Sequence, residues 1–97
     1  MTSIGGSAFS GCSSLTSVVI GDSVTSIDDY AFYNCSNLTN VTIGNSVTEI
    51  GFQAFIGCSK LTTVNYKGTP EQWGQISIGS SNGYLKSATI NYNYSGE

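Results

Sequence analysis

The stretch "SAFSGCSSLTSVVIGDSVTSI" (residues 7–27) decides the fold, because it returns as "YAFYNCSNLTNVTIGNSVTEI" (residues 30–50). A third and shorter copy, "QAFIGCSKLTTVNY", occupies residues 53–66. The three copies begin at residues 7, 30 and 53 and are therefore evenly spaced. Self-similarity at such a fixed spacing indicates a stack of coils. A single coil cannot bury its own apolar edge, so the stack holds together through contacts between neighbours.

The positions that recur are apolar and occupy one set of phases in every copy. They are Ile4, Ile27 and Ile50; Ala8, Ala31 and Ala54; Phe9, Phe32 and Phe55; Cys12, Cys35 and Cys58; Leu15, Leu38 and Leu61; Val18, Val41 and Val64; and Ile20, Ile43 and Tyr66. A short period of this kind with L-x-x-L-x-L spacing is typical of leucine-rich repeats. The alternation at the end of each motif is that of a half-buried strand.

The sequence therefore predicts a leucine-rich-repeat solenoid, rich in β-structure, with about four coils. Strands at residues 17–20 and their equivalents are expected to form a parallel sheet on the concave face, and the Ala-Phe pairs to lie in short helices or turns on the convex side. We predict one domain over residues 1–97. Its repeats are expected at about 3–25, 26–48 and 49–66, followed by a C-terminal cap at 67–97.

The predicted cap carries a helix start. Thr69 is suited to the N-cap, Pro70 to the first helical position, and Gln72 completes a capping box. Trp73 and Ile76 are expected to share one helix face and cover the end of the core. The motif "LKSATI" (residues 85–90) predicts a fourth strand in the same sheet, with Leu85 taking the place that Leu61 has in the third coil.

The first residues already stand in the phase of the repeat. This pattern predicts either the C-terminal piece of a longer protein or a minimal, trimmed or designed array. In both cases we expect the first coil to expose an apolar edge and to favour self-association through it.

Charge is scarce: nine of 97 residues are charged, the net charge is −3, and all three basic residues are lysines. Such a chain offers no cationic face for nucleic acid or an anionic membrane surface. Apolar runs such as residues 18–20 are far shorter than the roughly 20 residues of a membrane span, so we expect no membrane insertion. The polar residues are mainly Ser, Thr, Asn, Gly and Tyr, a composition that favours an extracellular setting.

The sequence predicts no enzyme and no cofactor. It contains no His and no Arg, and it has neither a phosphate-binding loop nor a G-x-S-x-G motif. Asp28 and Asp29 are adjacent on a turn, where their side chains diverge. The cysteines, which recur once in each repeat, form a column rather than the convergent ligand set of a zinc site, and we expect small buried thiols.

The pattern I-G-x-x-A-F-x-x-C-x-x-L-x-x-V, as it stands in residues 50–64, resembles the BspA-like leucine-rich repeats of bacterial and some protist cell-surface proteins. The resemblance covers residues 2 to about 66. The segment "GTPEQW" followed by "ATINY" resembles the ending of such arrays. The resemblance implies a surface-displayed adhesion module of a longer exported protein, located at the cell surface, whose targets are proteins or glycans. It supplies no catalytic residues.

Alternation along the strands predicts which side chains point away from the core. They are Ser17, Val19, Asn40, Thr42, Thr63, Asn65, Ser87 and Thr89. Their amides and hydroxyls suit a glycan or a backbone edge better than a charged partner. Tyr30, Tyr33, Trp73 and Tyr84 are candidate platforms for stacking on sugars. The alternative is a structural spacer or scaffold with no ligand of its own.

Overall fold

The structure is a computed structural model that describes residues 3–94. Four turns of chain each contribute one short and one longer strand, and two short helices lie in the last turn of the chain. The elements are β1 (Ser3–Ile4), β2 (Ser17–Ile20), β3 (Ser26–Ile27), β4 (Asn40–Ile43), β5 (Glu49–Ile50), β6 (Thr63–Tyr66), α1 (Pro70–Gly74), β7 (Ser77–Ile78), α2 (Gly83–Ser87) and β8 (Thr89–Asn91).

The longer strands form a parallel sheet in the order β2-β4-β6-β8. Val18 pairs with Val41 and Val41 with Val64, so one period of the sequence is the step from one coil to the next. The valines point inward; Val41 and Val64 have no exposed surface, whereas Val18 is partly buried. The predicted parallel sheet and the solenoid are confirmed.

A second parallel sheet joins the two-residue strands in the order β1-β3-β5-β7. Ile27 pairs with Ile4 on one side and with Ile50 on the other, and all three side chains are buried. The sequence motif predicts that these isoleucines return to the core, but two residues per strand are too few for an alternation signal. The second sheet is thus a finding of the structure.

The Ala-Phe segments form turns that connect the coils by hydrogen bonds. The N–H of Phe9 donates to the carbonyl of Ala31, and the N–H of Phe32 donates to that of Ala54, both at 2.8 Å. Each turn holds two residues with positive φ. The first is Ser7, Tyr30 or Gln53, and the second is Gly11, Asn34 or Gly57. Glycine and asparagine tolerate this conformation best, which accounts for the residues at the second position.

A stack of phenylalanine rings runs along the coils, and two of the three rings, Phe32 and Phe55, belong to the buried core. Phe9, Phe32 and Phe55 lie ring over ring, with centroids 5.3 and 5.1 Å apart. The thiol of Cys58 donates to the carbonyl of Phe32 at 3.2 Å, and the thiol of Cys35 does the same to Phe9 at 3.1 Å. The cysteines are therefore small buried residues that also bond one coil to the preceding one.

The C-terminal cap begins with α1 as predicted. Thr69 accepts a hydrogen bond from the N–H of Gln72, and the Gln72 side chain accepts one from the N–H of Thr69. Trp73 packs edge-on against Tyr66 at 5.1 Å between ring centroids. The helix ends at Gly74, so Ile76 reaches the core from the turn that follows and not from the helix itself.

Asn82 closes the last coil, a role that the sequence does not reveal. Its side chain is 2% exposed. The oxygen Oδ1 accepts a hydrogen bond from the N–H of Phe55 at 2.8 Å, and Nδ2 donates to the carbonyls of Gly51 and Gly79. In the preceding coils a backbone carbonyl accepts this bond. The amide of Asn82 thus replaces the peptide group of a further coil.

The predicted register of the fourth strand is wrong by two positions. The motif predicts Ser87 and Ala88 beside Thr63 and Val64, whereas the structure pairs these two with Thr89 and Ile90. Ser87 is the last residue of α2 and does not belong to the strand. Leu85 does enter the core, but it does so from the helix, so the chain continues further before it reaches the sheet.

The predicted limits of the domain, the repeats and the cap stay predictions, and residues 1 and 97 lie outside the described residues.

Among the described residues, the first coil has a neighbouring coil on one side, where β1 pairs with β3 and β2 with β4. The exposed fraction is 39% for Phe9 but 0% for Phe32, and Cys12, Leu15 and Val18 are only partly buried.

Within residues 3–94, no helix is long and apolar enough to cross a membrane.

Candidate functional site

The outer side of the longer sheet, which we call the sheet face, is built by eight side chains in two rows. The first row follows the pairing Ser17, Asn40, Thr63 and Thr89, and the second follows Val19, Thr42, Asn65 and Asn91. Parallel pairing in register places residues of one row side by side on neighbouring strands. The rows therefore form two lines of small side chains, all polar except Val19, that run along the stack.

Exposure varies along these rows. Ser17, Val19, Thr89 and Asn91 are exposed, whereas Asn40, Thr63 and Asn65 are half-buried. Thr42 is only 3% exposed, because it is a small side chain between Val19 and Asn65 on the flanking strands. The prediction that Thr42 is available to a partner is therefore wrong. The accessible part of the sheet face consists of its outer strands and the row that contains Asn40 and Thr63.

Hydrogen bonds hold two of these side chains, and a threonine beside them, in place. Nδ2 of Asn91 donates to Oδ1 of Asn65 at 2.9 Å across β8 and β6. Just before the strands, the hydroxyl of Thr39 donates to the carbonyl of Thr16 at 3.0 Å. Such cross-strand contacts restrict the side chains before any partner arrives, which lowers the entropy cost of binding.

Charged groups lie only beside the rows. At the ends of the strands, Nζ of Lys67 is 3.6 Å from Oδ1 of Asp22, and Gly44 lies between them on the intervening coil. At the starts of the strands, Nζ of Lys60 donates to Oδ1 of Asn37 at 3.1 Å. No strand residue of the sheet face carries a charge.

Two sequence assignments on the fourth strand change. Ser87 lies in α2 and does not join the sheet face, and Thr89 belongs beside Thr63 rather than beside Asn65. Asn91 occupies the place beside Asn65. Asn91 is two residues after Thr89, so strand alternation places both on the same face. The sequence predicts this only if the correct register of the fourth strand is known.

The predicted aromatic platforms lie on other parts of the surface. Trp73 is half-buried in the cap against Tyr66. Tyr30 and Tyr33 are exposed in the turn of the second coil, and Tyr84 is exposed on α2. None of the four belongs to the sheet face.

The thiols are poorly suited to chemistry. Burial raises the pKa of Cys58 to about 12, and burial likewise raises the pKa of Cys35. A thiol acts as a nucleophile or metal ligand only after it loses its proton. Across residues 3–94, no three His, Cys, Asp or Glu side chains are grouped so that they could hold a metal ion. The arrangement offers hydrogen bonding and apolar contact.

Comparison with known proteins identifies the repeat. A family model described as "BspA type Leucine rich repeat region" matches residues 1–95 in six copies. The structure is similar to the crystal structure of a leucine-rich cell surface protein from Faecalibacterium prausnitzii A2-165. The TM-score is 0.77 and the sequences are 41% identical over 78% of this chain and 20% of that protein. This chain thus spans a fifth of the length of that relative.

No curated protein matches the sequence. The family match covers nearly the whole chain, and the solved structure has the same fold at substantial identity. These findings agree with the coil period, the two parallel sheets and the phenylalanine stack. The chain belongs to the family of BspA-type leucine-rich repeat proteins.

Proposed function

We propose that the chain is a non-catalytic interaction module of a cell-surface protein, which binds an extracellular protein or glycan through the sheet face. The 41% identical structure belongs to a leucine-rich cell surface protein, which supports the location. The observation that carries the proposal is the uncharged outer side of the four strands β2, β4, β6 and β8.

The chemistry of the sheet face favours a neutral, hydrogen-bonding partner. Its accessible groups are the hydroxyls of Ser17, Thr63 and Thr89 and the amides of Asn40 and Asn91, together with the exposed side chain of Val19. Hydroxyls and amides both donate and accept, so they suit sugar hydroxyls or a peptide backbone. Val19 is 52% exposed and adds apolar area that a partner can cover.

The same features argue against other classes of function. The net charge of −3 opposes association with nucleic acid. The protonated thiols of Cys35 and Cys58 argue against nucleophilic catalysis. Binding without chemistry is the function that these residues support.

The test measures binding of the purified chain to a panel of immobilised matrix proteins and glycans. Asn40 and Thr63 pair across β4 and β6, so the double variant Asn40→Lys/Thr63→Lys places two positive charges in the middle of the sheet face. Neither side chain belongs to the core, and we expect the fold to persist. The matched control is Ser36→Lys/Ser59→Lys, which adds the same charge at exposed, equivalent positions of two turns.

We expect the panel to yield a ligand whose binding is lost in the strand variant and kept in the turn control. Equal binding by both variants would exclude the sheet face as the recognition surface. A folded chain that binds nothing would instead favour the alternative function, a structural spacer.

A further inference from the structure

A depression of about 400 Å³ opens where the turn of the third coil meets α2. Ile56 lines it from the turn, and Ser81, Gly83, Tyr84 and Ser87 line it from the cap. The volume falls within the range of roughly 300–1,000 Å³ that is usual for small-ligand sites. Because it lies on the turn side of the coils, it is separate from the sheet face.

Exposed aromatic rings also lie on the turns of the second and third coils, on the same side of the stack as Ile56. Tyr33 is the counterpart of Ile56 one coil earlier, and the N–H of the next residue, Asn34, donates to the carbonyl of Ile56 at 2.7 Å. The ring of Tyr30 contacts those of Tyr33 and Phe52 edge-on, each at 5.8 Å between centroids. We call the residues Tyr30, Tyr33, Phe52, Ile56 and Tyr84 the aromatic strip.

Folding alone does not account for the aromatic strip. Tyr30 has φ of 62°, an unfavourable conformation for a bulky side chain, and its side chain is 37% exposed. The equivalent residues Ser7 and Gln53 share this backbone conformation, so the turn itself does not require an aromatic residue. Exposed aromatic rings at positions where the turn does not require them are typical of a binding surface.

The residues that line the depression favour a neutral ligand with hydroxyl groups. Its polar side-chain atoms are the hydroxyls of Ser81, Tyr84 and Ser87, and no charged side chain lines the depression. Nearby, the carboxylate of Asp29 accepts a hydrogen bond from the N–H of Phe52, which adds negative charge and disfavours an anionic ligand. Flat rings can stack on the C–H face of a sugar, while hydroxyls can bond its ring hydroxyls.

We propose that the aromatic strip is a binding site for a neutral oligosaccharide, with one sugar ring seated against Tyr84 in the depression. The inference does not depend on the sheet face being a recognition surface. A proline-rich peptide, which also favours aromatic grooves, is the competing ligand that the test must separate.

The experiment titrates the isotopically labelled full chain with four neutral trisaccharides: maltotriose, cellotriose, mannotriose and N,N′,N″-triacetylchitotriose. At millimolar concentration we expect at least one of them to shift the amide resonances of residues 81–87 and 30–33 and to leave those of β2, β4 and β6 unchanged. Tyr84→Ala should weaken this binding about tenfold, because the stacking ring is lost. Tyr84→Phe should retain most of it.

The control variant is Tyr92→Ala, which removes a tyrosine of similar exposure outside the aromatic strip and should bind normally. Asn40→Lys/Thr63→Lys should also bind normally, which separates this site from the sheet face. The proposal is overturned if no trisaccharide shifts these resonances, if Tyr84→Ala binds as the native chain does, or if only a proline-rich decapeptide shifts them.

Discussion

Within residues 3–94, the first coil and the C-terminal cap differ in how far their side chains are covered. At the first coil, β1 and β2 each pair on one side, with β3 and β4 respectively. Phe9 is stacked on Phe32 but remains 39% exposed. At the cap, Phe55 is fully buried, and Asn82 takes up the hydrogen bond that a further coil would accept.

This difference shows that position in the stack decides burial, and the motif does not. Cys12, Leu15 and Val18 are partly buried, whereas their equivalents one coil later, Cys35, Leu38 and Val41, have no exposed surface. The sequence pattern at these positions is the same. Stability in such an array is mainly a sum over interfaces between neighbours, so an equivalent residue contributes more where it has a neighbour on each side.

The largest expected contrast is between two equivalent phenylalanines. Phe32→Ala should lower the free energy of unfolding by about 3–5 kcal/mol, because it leaves a cavity between two stacked rings. Phe9→Ala should cost about 1 kcal/mol, since its ring has one stacking neighbour and is partly solvated. Urea denaturation of both variants measures the contrast, and equal losses would contradict the dependence on position.

The second prediction concerns the amide that seals the cap. Asn82→Ala should cost about 2–4 kcal/mol, because the N–H of Phe55 and the carbonyls of Gly51 and Gly79 lose a partner in a buried place. Asn91→Ala removes an exposed amide with one hydrogen bond and serves as the matched control, with an expected loss below about 0.5 kcal/mol. If the two variants unfold at the same urea concentration, Asn82 does not close the stack.

The third prediction compares two equivalent glycines. A Cβ on Gly51 would lie 2.5 Å from the backbone N of Asp29 on the preceding coil, whereas a Cβ on Gly5 meets nothing within 4 Å. Gly51→Ala should therefore cost about 1–3 kcal/mol through overpacking. Gly5→Ala should be neutral within about 0.5 kcal/mol. Thermal denaturation compares the stability of the two variants. If only Gly5→Ala lost stability, the prediction that the third coil is more tightly packed at this position than the first would be contradicted.

The smallest effect is a pH dependence that arises from the interior. The thiol of Cys58 has its pKa raised from 9.0 to about 12, so the folded chain binds this proton more tightly than the unfolded chain. The contribution of this protonated thiol to the free energy of unfolding is complete at pH values below its pKa in the unfolded chain. It is lost as pH rises from about 9 towards 12. At pH near 10 we expect a loss of about 1 kcal/mol relative to neutral pH.

Burial also raises the pKa values of Tyr66 and Cys35, so these two groups add to the pH dependence. The variant Cys58→Ala isolates the effect, because it should show a smaller fall in stability between the two pH values. An unchanged pH dependence in Cys58→Ala would show that this thiol contributes nothing to it.

The sequence predicts the repeating part of this fold well, because each core position occurs in three copies and one strand register fixes the others. Val41, Phe32 and Cys58 stand where the pattern places them. The cap is predicted less well. Its helix α1 is marked by Thr69 and Pro70, but α2 has no side-chain cap and contains Leu85, which imitates the repeat motif and misplaces the fourth strand by two positions.

The sheet face, too, can be predicted from the sequence only in part. Ser17, Asn40 and Thr63 follow from strand alternation alone. The burial of Thr42 depends on the size of its neighbours, and the contribution of Asn91 depends on the shifted register, so neither is visible in a single copy of the motif.

Amide hydrogen exchange, resolved by residue, tests most directly the claim that residues 3–94 form a continuous stack that is closed at the cap and less covered at the first coil. We expect slow exchange for the N–H of Phe32 and for that of Phe55, which is bound by Asn82, and fast exchange across β1 and β2. Uniform protection from the first coil to the third, or faster exchange at Phe55 than at Val19, would contradict the account.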